Sequence, residues 1–242
     1  MKENLNLPII GYMHSDFVEK FGIPRQPNLV DTISYIVLNQ TYADERAFVG
    51  IEQFSHLWLL WHFHDNKNQA NEKVNHAPFR PMIRPPRLGG NQKIGVFASR
   101  SMYRPSPIGL SVVKFLRVEK VANELRLYVS GADLLHGTPI LDIKPYIAYS
   151  DAIFDAKSGY AQQAPDLLKV FWHSDAIQQR QQFSDLTIEK IQQIEHILAL
   201  DPRPAYHDDD HKVYGLAFAQ WNIRFQIQQG QVLILAITIS DN

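Results

Sequence analysis

"GLSVVKFLRVEKVANELRLYVSGADL", residues 109–134, decides the fold class. Two β-rich runs, 109–121 and 124–134, flank Ala122-Asn123, and the pattern predicts a β-hairpin turning at that pair. Runs of the same kind lie on both sides of it: "YIVLN" (35–39), "HLWLLWHFH" (56–64), "KIGVFAS" (93–99) and "DIKPYI" (142–147). Pro/Gly turns separate them. Many short strands with few long helical patterns predict a barrel or a sandwich.

The texture changes after about residue 160. Within 174–200, Leu186, Ile188, Ile191, Ile194, Ile197 and Leu198 recur at helical spacing. Thr187 and Glu189 mark the helix start, and Pro202 and Pro204 end it. "WNIRFQIQQGQVLILAITI" then reads as two strands turning at Gln229-Gly230. The expected organisation is a mainly β barrel domain over 1–160 and a small α+β domain over 161–242. About 80 residues make a modest core, so the second unit is expected to lean on the first.

The 242 residues carry 45% hydrophobic and 11% aromatic side chains, enough for a packed core, and a net charge of −1. That neutrality conceals an asymmetry. Nine basic and no acidic residues fall between Lys73 and Val118, against 15 basic and 25 acidic elsewhere. A basic segment on an acidic background points to an anionic partner, nucleic acid or a phosphate-bearing small molecule. The absence of cysteine excludes disulfides, thiolate zinc sites and a cysteine nucleophile. It also fits a reducing cytoplasm. The N-terminal residues contain no signal-like apolar stretch, and the longest apolar runs are too short to span a bilayer. A cytoplasmic protein without a membrane partner is expected.

No Walker loop, no G-x-G-x-x-G after a strand and no G-x-S-x-G elbow occurs. The candidate chemistry lies elsewhere. His56, Trp58, Leu60, His62 and His64 would share one face of a strand, and His62 with His64 could chelate a metal, although no third ligand is evident. "IPRQP" fixes Arg25 and Gln26 between Pro24 and Pro27. A preorganised arginine grips a carboxylate or phosphate by two parallel bonds, and the Gln amide can read a base edge. "DLLHGTPILDIKPY" (133–146) gathers Asp133, His136, Asp142, Lys144 and Tyr146 beside a turn. Asp142 and Lys144 lie on one strand face and could pair. In "RSMYRPSPIGLS" (100–111) prolines again stiffen arginines, and Tyr103 offers a face for base stacking.

"PRQP", "SHLWLLWHFH", "RPPRLGG", "GVFASRSMYRPSPIG", "DLLHGTPILDIKPY" and "DPRPAY" occur in the order seen in the TrmO (TsaA-like) family. The chain resembles that family over essentially its whole length. The resemblance implies an S-adenosylmethionine-dependent methyltransferase acting on N6 of N6-threonylcarbamoyladenosine at position 37, just 3′ of the anticodon, in threonine tRNA. It implies a donor site on a β-barrel, not on a Rossmann sheet, no metal, and a homodimer with donor sites near the subunit contact.

Matched by motif, Pro24, Arg25 and Gln26 resemble the donor-binding loop. His64 and Asp65 match a second contact, Arg100 and Leu110 a third, and the Asp133, Leu134, Leu135, His136 turn a fourth. The chain departs from the family pattern at three places. Asp65 stands where relatives have Gln, His136 stands for the last Asp of "DLVDGTP", and Gln220 stands where an Asp is expected.

Asp142, Tyr146 and Tyr206 are candidates to polarise the N6 proton. Lys144 and Arg203 are candidates to hold the threonyl carboxylate, and Arg84, Arg87 and Arg104 to meet RNA phosphates. Two other readings compete. One is a non-enzymatic RNA-binding barrel; the other is a metal-dependent barrel enzyme using His62 and His64.

Overall fold

A computed structural model of the chain describes residues 5–65, 79–203 and 209–240. In chain order its elements are β1 (Gly11–His14), β2 (Ile33–Leu38), β3 (His56–His62), β4 (Met82–Ile83), β5 (Ile94–Gly95), β6 (Ile108–Val121), β7 (Glu124–Ser130) and β8 (Pro139–Pro145). Then follow α1 (Ala148–Asp151), β9 (Lys169–Trp172), α2 (Ser174–Arg180), α3 (Ile188–Ala199), β10 (Tyr214–Phe218), β11 (Trp221–Gln228) and β12 (Gln231–Ile239).

Six strands pair antiparallel in the order β1-β2-β7-β6-β3-β8, and β8 returns to β1, which closes the sheet. Alternation along β3 puts Leu57, Leu59 and Trp61 inside and leaves His56, Trp58, Leu60 and His62 on the outer face. Met13, Ile36, Leu127 and Ile140 complete the barrel core. The expected hairpin joins β6 to β7, with Ala122 at φ 54°.

The second sheet runs β10-β11-β12-β9, with β9 parallel to β12. The helices α2 and α3 contribute Ala176, Ile194, Ile197 and Leu198 to its core, beside Leu216, Phe218 and Phe225. Thr187 caps α3, its hydroxyl accepting from Lys190 N. Gln229-Gly230 turns β11 into β12 as expected.

Three local expectations differ from the structure. "KIGVFAS" forms only the two-residue β5 before a 3₁₀ turn over Val96–Ala98. Residues 131–134 leave the sheet after Ser130, because Gly131 takes φ 80°. The 174–200 stretch holds two helices, broken between Arg180 and Ile188. The short strands β1, β9 and β10 have too few residues to show periodicity in the sequence.

One feature crosses between the two cores. Residues 15–31 link β1 to β2, both barrel strands, yet Phe17 and Val30 are buried in the second core.

Candidate functional site

A cavity of 540 Å³ opens at the end of β3 where the barrel, the 15–31 segment and the 99–110 loop meet. Pro24, Arg25, Gln26, His64, Asp65, Arg100, Leu110, Asp133 and Leu135 all line it. These side chains come from four stretches of sequence, brought together only by the tertiary fold.

The wall is mixed. Ile23, Trp61, Phe63, Met102 and Leu135 give apolar surface, Lys20, Arg25, Arg100 and Arg104 give cations, and Asp65 and Asp133 give carboxylates. Arg100 donates to Gln26 Oε1 at 2.5 Å, which ties the 99–110 loop to the 15–31 segment. Lys20 pairs with Asp65 at 3.2 Å across the same cavity.

Asp133 sits deepest in this polar set. Its Oδ1 accepts from Ser111 Oγ at 2.6 Å, and that hydroxyl accepts from the Trp61 indole N–H at 3.1 Å. Burial pushes the Asp133 carboxyl up to about 6, against the opposing pull of the Ser111 bond, a backbone bond and the Arg100 charge. Burial also lowers the His64 imidazole, with His62 and Lys20 adding to the effect and Asp65 opposing it. The neutral imidazole is therefore favoured near neutrality, with one ring nitrogen free to accept a hydrogen bond.

Several expected residues lie elsewhere. Leu134 is buried in the barrel core, because the turn alternates and sends only Asp133 and Leu135 to the cavity. The His136 Nδ1 accepts from Ser15 N at 3.4 Å and its ring packs edge-on against His14 at 5.0 Å, so its side chain braces β1 instead of lining the cavity. Burial and then His136 lower the His14 imidazole; Arg126 adds to this and Glu124 opposes it.

The expected catalytic set does not gather at the cavity. Asp142 and Lys144 do pair, at 2.7 Å, but on the outer face of β8 opposite Leu60 and Trp58. Tyr146 packs on His56 and Trp58 at the far end of β3. Alternation past inward Ile143 dictates this, and none of the three lines the cavity. Tyr206 lies outside the described residues.

Among the basic residues, Arg104 lines the cavity and donates to Ser99 O. Arg84 and Arg87 are exposed, and Arg87 donates to Gln163 O. Arg203 pairs with Asp201 at 2.9 Å, and its carbonyl accepts from Arg25 at 3.3 Å, beside the cavity. His64 lies beyond the end of β3 and lines the cavity, and among the described residues no group of three His, Asp or Glu is placed to hold a metal.

Sequence reasoning missed Lys20, Ser111 and Trp61. Each reads as an ordinary strand or loop residue, and only the closed sheet gives it a role.

Residues 12–152 match the tRNA-methyltransferase O N-terminal domain, and residues 165–240 match the TrmO C-terminal domain. The chain belongs to the TrmO family. A tRNA (adenine(37)-N6)-methyltransferase of Escherichia coli K12 is 36% identical over 236 residues, covering 94% of this chain and 95% of that protein. A protein of the same name from Eikenella corrodens is 44% identical over 184 residues, covering 76% and 97%. A putative S-adenosylmethionine-dependent methyltransferase of Pseudomonas aeruginosa is 44% identical over 199 residues, covering 81% of each chain. The crystal structure of TrmO from Pseudomonas aeruginosa superposes with a TM-score of 0.75 at 33% identity, covering 98% of this chain and 99% of that one. In family terms, the cavity draws its lining from the N-terminal domain, and the C-terminal domain backs the 15–31 segment.

Proposed function

We propose that this chain is an S-adenosylmethionine-dependent methyltransferase that modifies N6 of N6-threonylcarbamoyladenosine at position 37 of threonine tRNA. The observation that carries this reading is the convergence of Pro24–Gln26, His64–Asp65, Arg100, Leu110 and Asp133 on one cavity.

The lining suits the donor's chemistry. S-adenosylmethionine has a carboxylate, an ammonium, a purine and a sulfonium. The cavity offers arginines and a lysine for the first, carboxylates for the cations, and Trp61, Phe63, Leu110 and Leu135 for the flat apolar ring. When bound, the sulfonium supplies an already activated methyl group. The protein's work is then alignment. Arg25 and Arg100 fix the amino-acid end, with Arg100 further held by Gln26. The apolar wall excludes water.

Methyl transfer would form the N6–CH3 bond and break the donor's S–CH3 bond, leaving a neutral thioether and releasing the N6 proton to a base or to solvent. Asp142, Lys144 and Tyr146, on the outer face, receive no part in that step within one chain. The exposed basic residues Arg84 and Arg87 are assigned to the phosphates of the anticodon loop, and Arg203 to the substrate side of the Arg25 loop.

A homodimer, a cytoplasmic location and a domain division near residue 160 belong to the same reading. Tyr149, Ile153 and Phe154 are 93%, 68% and 99% exposed, an apolar group that a second copy would cover. The two sheets have separate cores, and the matched domains leave 153–164 between them. No described helix is long and apolar enough to cross a membrane.

The test is transfer of a tritiated methyl group from labelled donor to threonine tRNA with and without the threonylcarbamoyl group. Incorporation only into the modified tRNA is expected. Incorporation into neither overturns the activity, and equal incorporation into both overturns the substrate.

A further inference from the structure

We propose that the C-terminal domain sets donor affinity by holding the 15–31 segment in its binding shape. The inference rests on the reading of the cavity as the donor site. It concerns residues that touch no donor and that lie on the opposite side of the segment.

The segment has two faces. Lys20, Ile23, Pro24, Arg25 and Gln26 point into the cavity. Phe17, Phe21 and Val30 point the other way, into the core made by α3 and the second sheet. Phe17 meets Phe218 edge-on at 5.6 Å between centroids. Gly22, at φ 88°, lies so close to Leu216 that a Cβ there would overlap the leucine side chain. The barrel alone leaves these aromatic side chains without cover.

Polar ties fasten the segment along its length. Ala219 N donates to Asp16 O at 2.7 Å, and Ala217 N donates to Glu19 Oε1 at 2.8 Å. The Lys190 ammonium pairs with Asp16 and lies 5.4 Å from the Phe218 centroid. Gln193 Nε2 donates to Asp31 O at 2.9 Å at the other end. Arg25 itself reaches back to Arg203 O. On the barrel side, Gly131 O accepts from Asn28 N and Val112 O accepts from Asn28 Nδ2, each at 2.9 Å. The Arg25-Gln26 corner is therefore clamped between two units, and its geometry depends on both.

A loop held beforehand loses less entropy on binding, and a small displacement of a charged contact is costly. Asp16, Glu19, Lys190 and Gln193 are thus positioning residues for donor binding. Because α3 and β10 are also family C-terminal elements, anything that shifts that domain against the barrel shifts the donor loop with it.

The test measures donor affinity by calorimetry in the full chain, with thermal melting alongside. Glu19→Ala and Lys190→Ala are expected to weaken S-adenosylmethionine binding about tenfold at temperatures where both remain folded. Exchanging the charges, Asp16→Lys with Lys190→Asp, is expected to restore affinity to within about threefold. Gln193→Ala, at the other end of the segment, supplies a second measurement should either of these variants fail to fold, and is expected to weaken binding in the same direction. Arg25→Ala is the control on the site. If Arg25→Ala weakens donor binding and the clamp variants lower only the melting temperature, the clamp is overturned and the site stands. If Arg25→Ala leaves donor binding unchanged, the site reading falls, and the inference with it.

Discussion

Ser111 and Asp133 are joined by a 2.6 Å hydrogen bond at the inner end of the cavity, with Trp61 donating to the same serine. The bond links the barrel core to the polar lining. It also holds a carboxyl whose proton is released only near pH 6.

That raised value has a consequence for stability. Below about pH 3.8 the Asp133 carboxyl is protonated whether the chain is folded or not, and nothing is lost. As pH rises through the interval to about 6, the unfolded chain releases the proton first, so stability falls; above 6 the loss is complete. The size is about 3 kcal/mol at most. Asp133→Asn keeps an oxygen for Ser111 and removes the titration. Urea unfolding of both proteins from pH 4 to 8 should show the variant gaining on the wild type through that interval. Parallel curves would refute the assignment.

Gly109 faces the Trp61 indole so closely that a Cβ would overlap its ring carbons. Gly109→Ala must displace Trp61, and with it the Ser111–Asp133 arrangement. A loss of roughly 1–3 kcal/mol in denaturant unfolding is expected, together with weaker donor binding by calorimetry. Unchanged donor affinity would show that the tryptophan does not shape the site.

Arg100 and Arg87 should separate by function. Arg100 lines the cavity and is tied to Gln26, so Arg100→Ala should weaken S-adenosylmethionine binding by about 10- to 100-fold. Arg87 is exposed and remote from the lining, so Arg87→Ala should leave the donor alone. It should weaken tRNA binding in a filter assay and reduce the salt dependence by about one phosphate contact. Equal effects of the two variants on both ligands would erase the distinction.

Phe154 is almost wholly exposed beside Tyr149 and Ile153. Phe154→Glu should therefore shift the sedimentation coefficient from dimer to monomer. A monomeric wild type, or a variant that stays dimeric, would remove this patch from the subunit contact.

Much of this protein was legible in its sequence, and the reason is local. The β6–β7 and β11–β12 hairpins, the alternation that puts His56, Trp58, Leu60 and His62 on one face of β3, and the Thr187 cap of α3 each follow from periodicity or turn chemistry within a dozen residues. The residues around Arg25, His64, Arg100 and Asp133 were marked by their resemblance to family motifs; prolines stiffen only the stretches that carry Arg25 and Arg100. The Asp142–Lys144 pair was readable as a pair, but its place outside the cavity was not. Its distance from the cavity depends on where β8 joins the barrel.

The sequence by itself thus determined the longer strands and their hairpins, the capped helix, and which loops are stiff enough to present charge. Only the tertiary structure decided that four such stretches share one cavity, that burial pushes the Asp133 carboxyl up to about 6, and that a loop between two barrel strands packs into the core of the other domain. Periodicity reports which side of an element is apolar. It does not report which distant element covers that side. Glu19 meets Ala217 across 198 residues of chain, and such a contact leaves no local pattern to read.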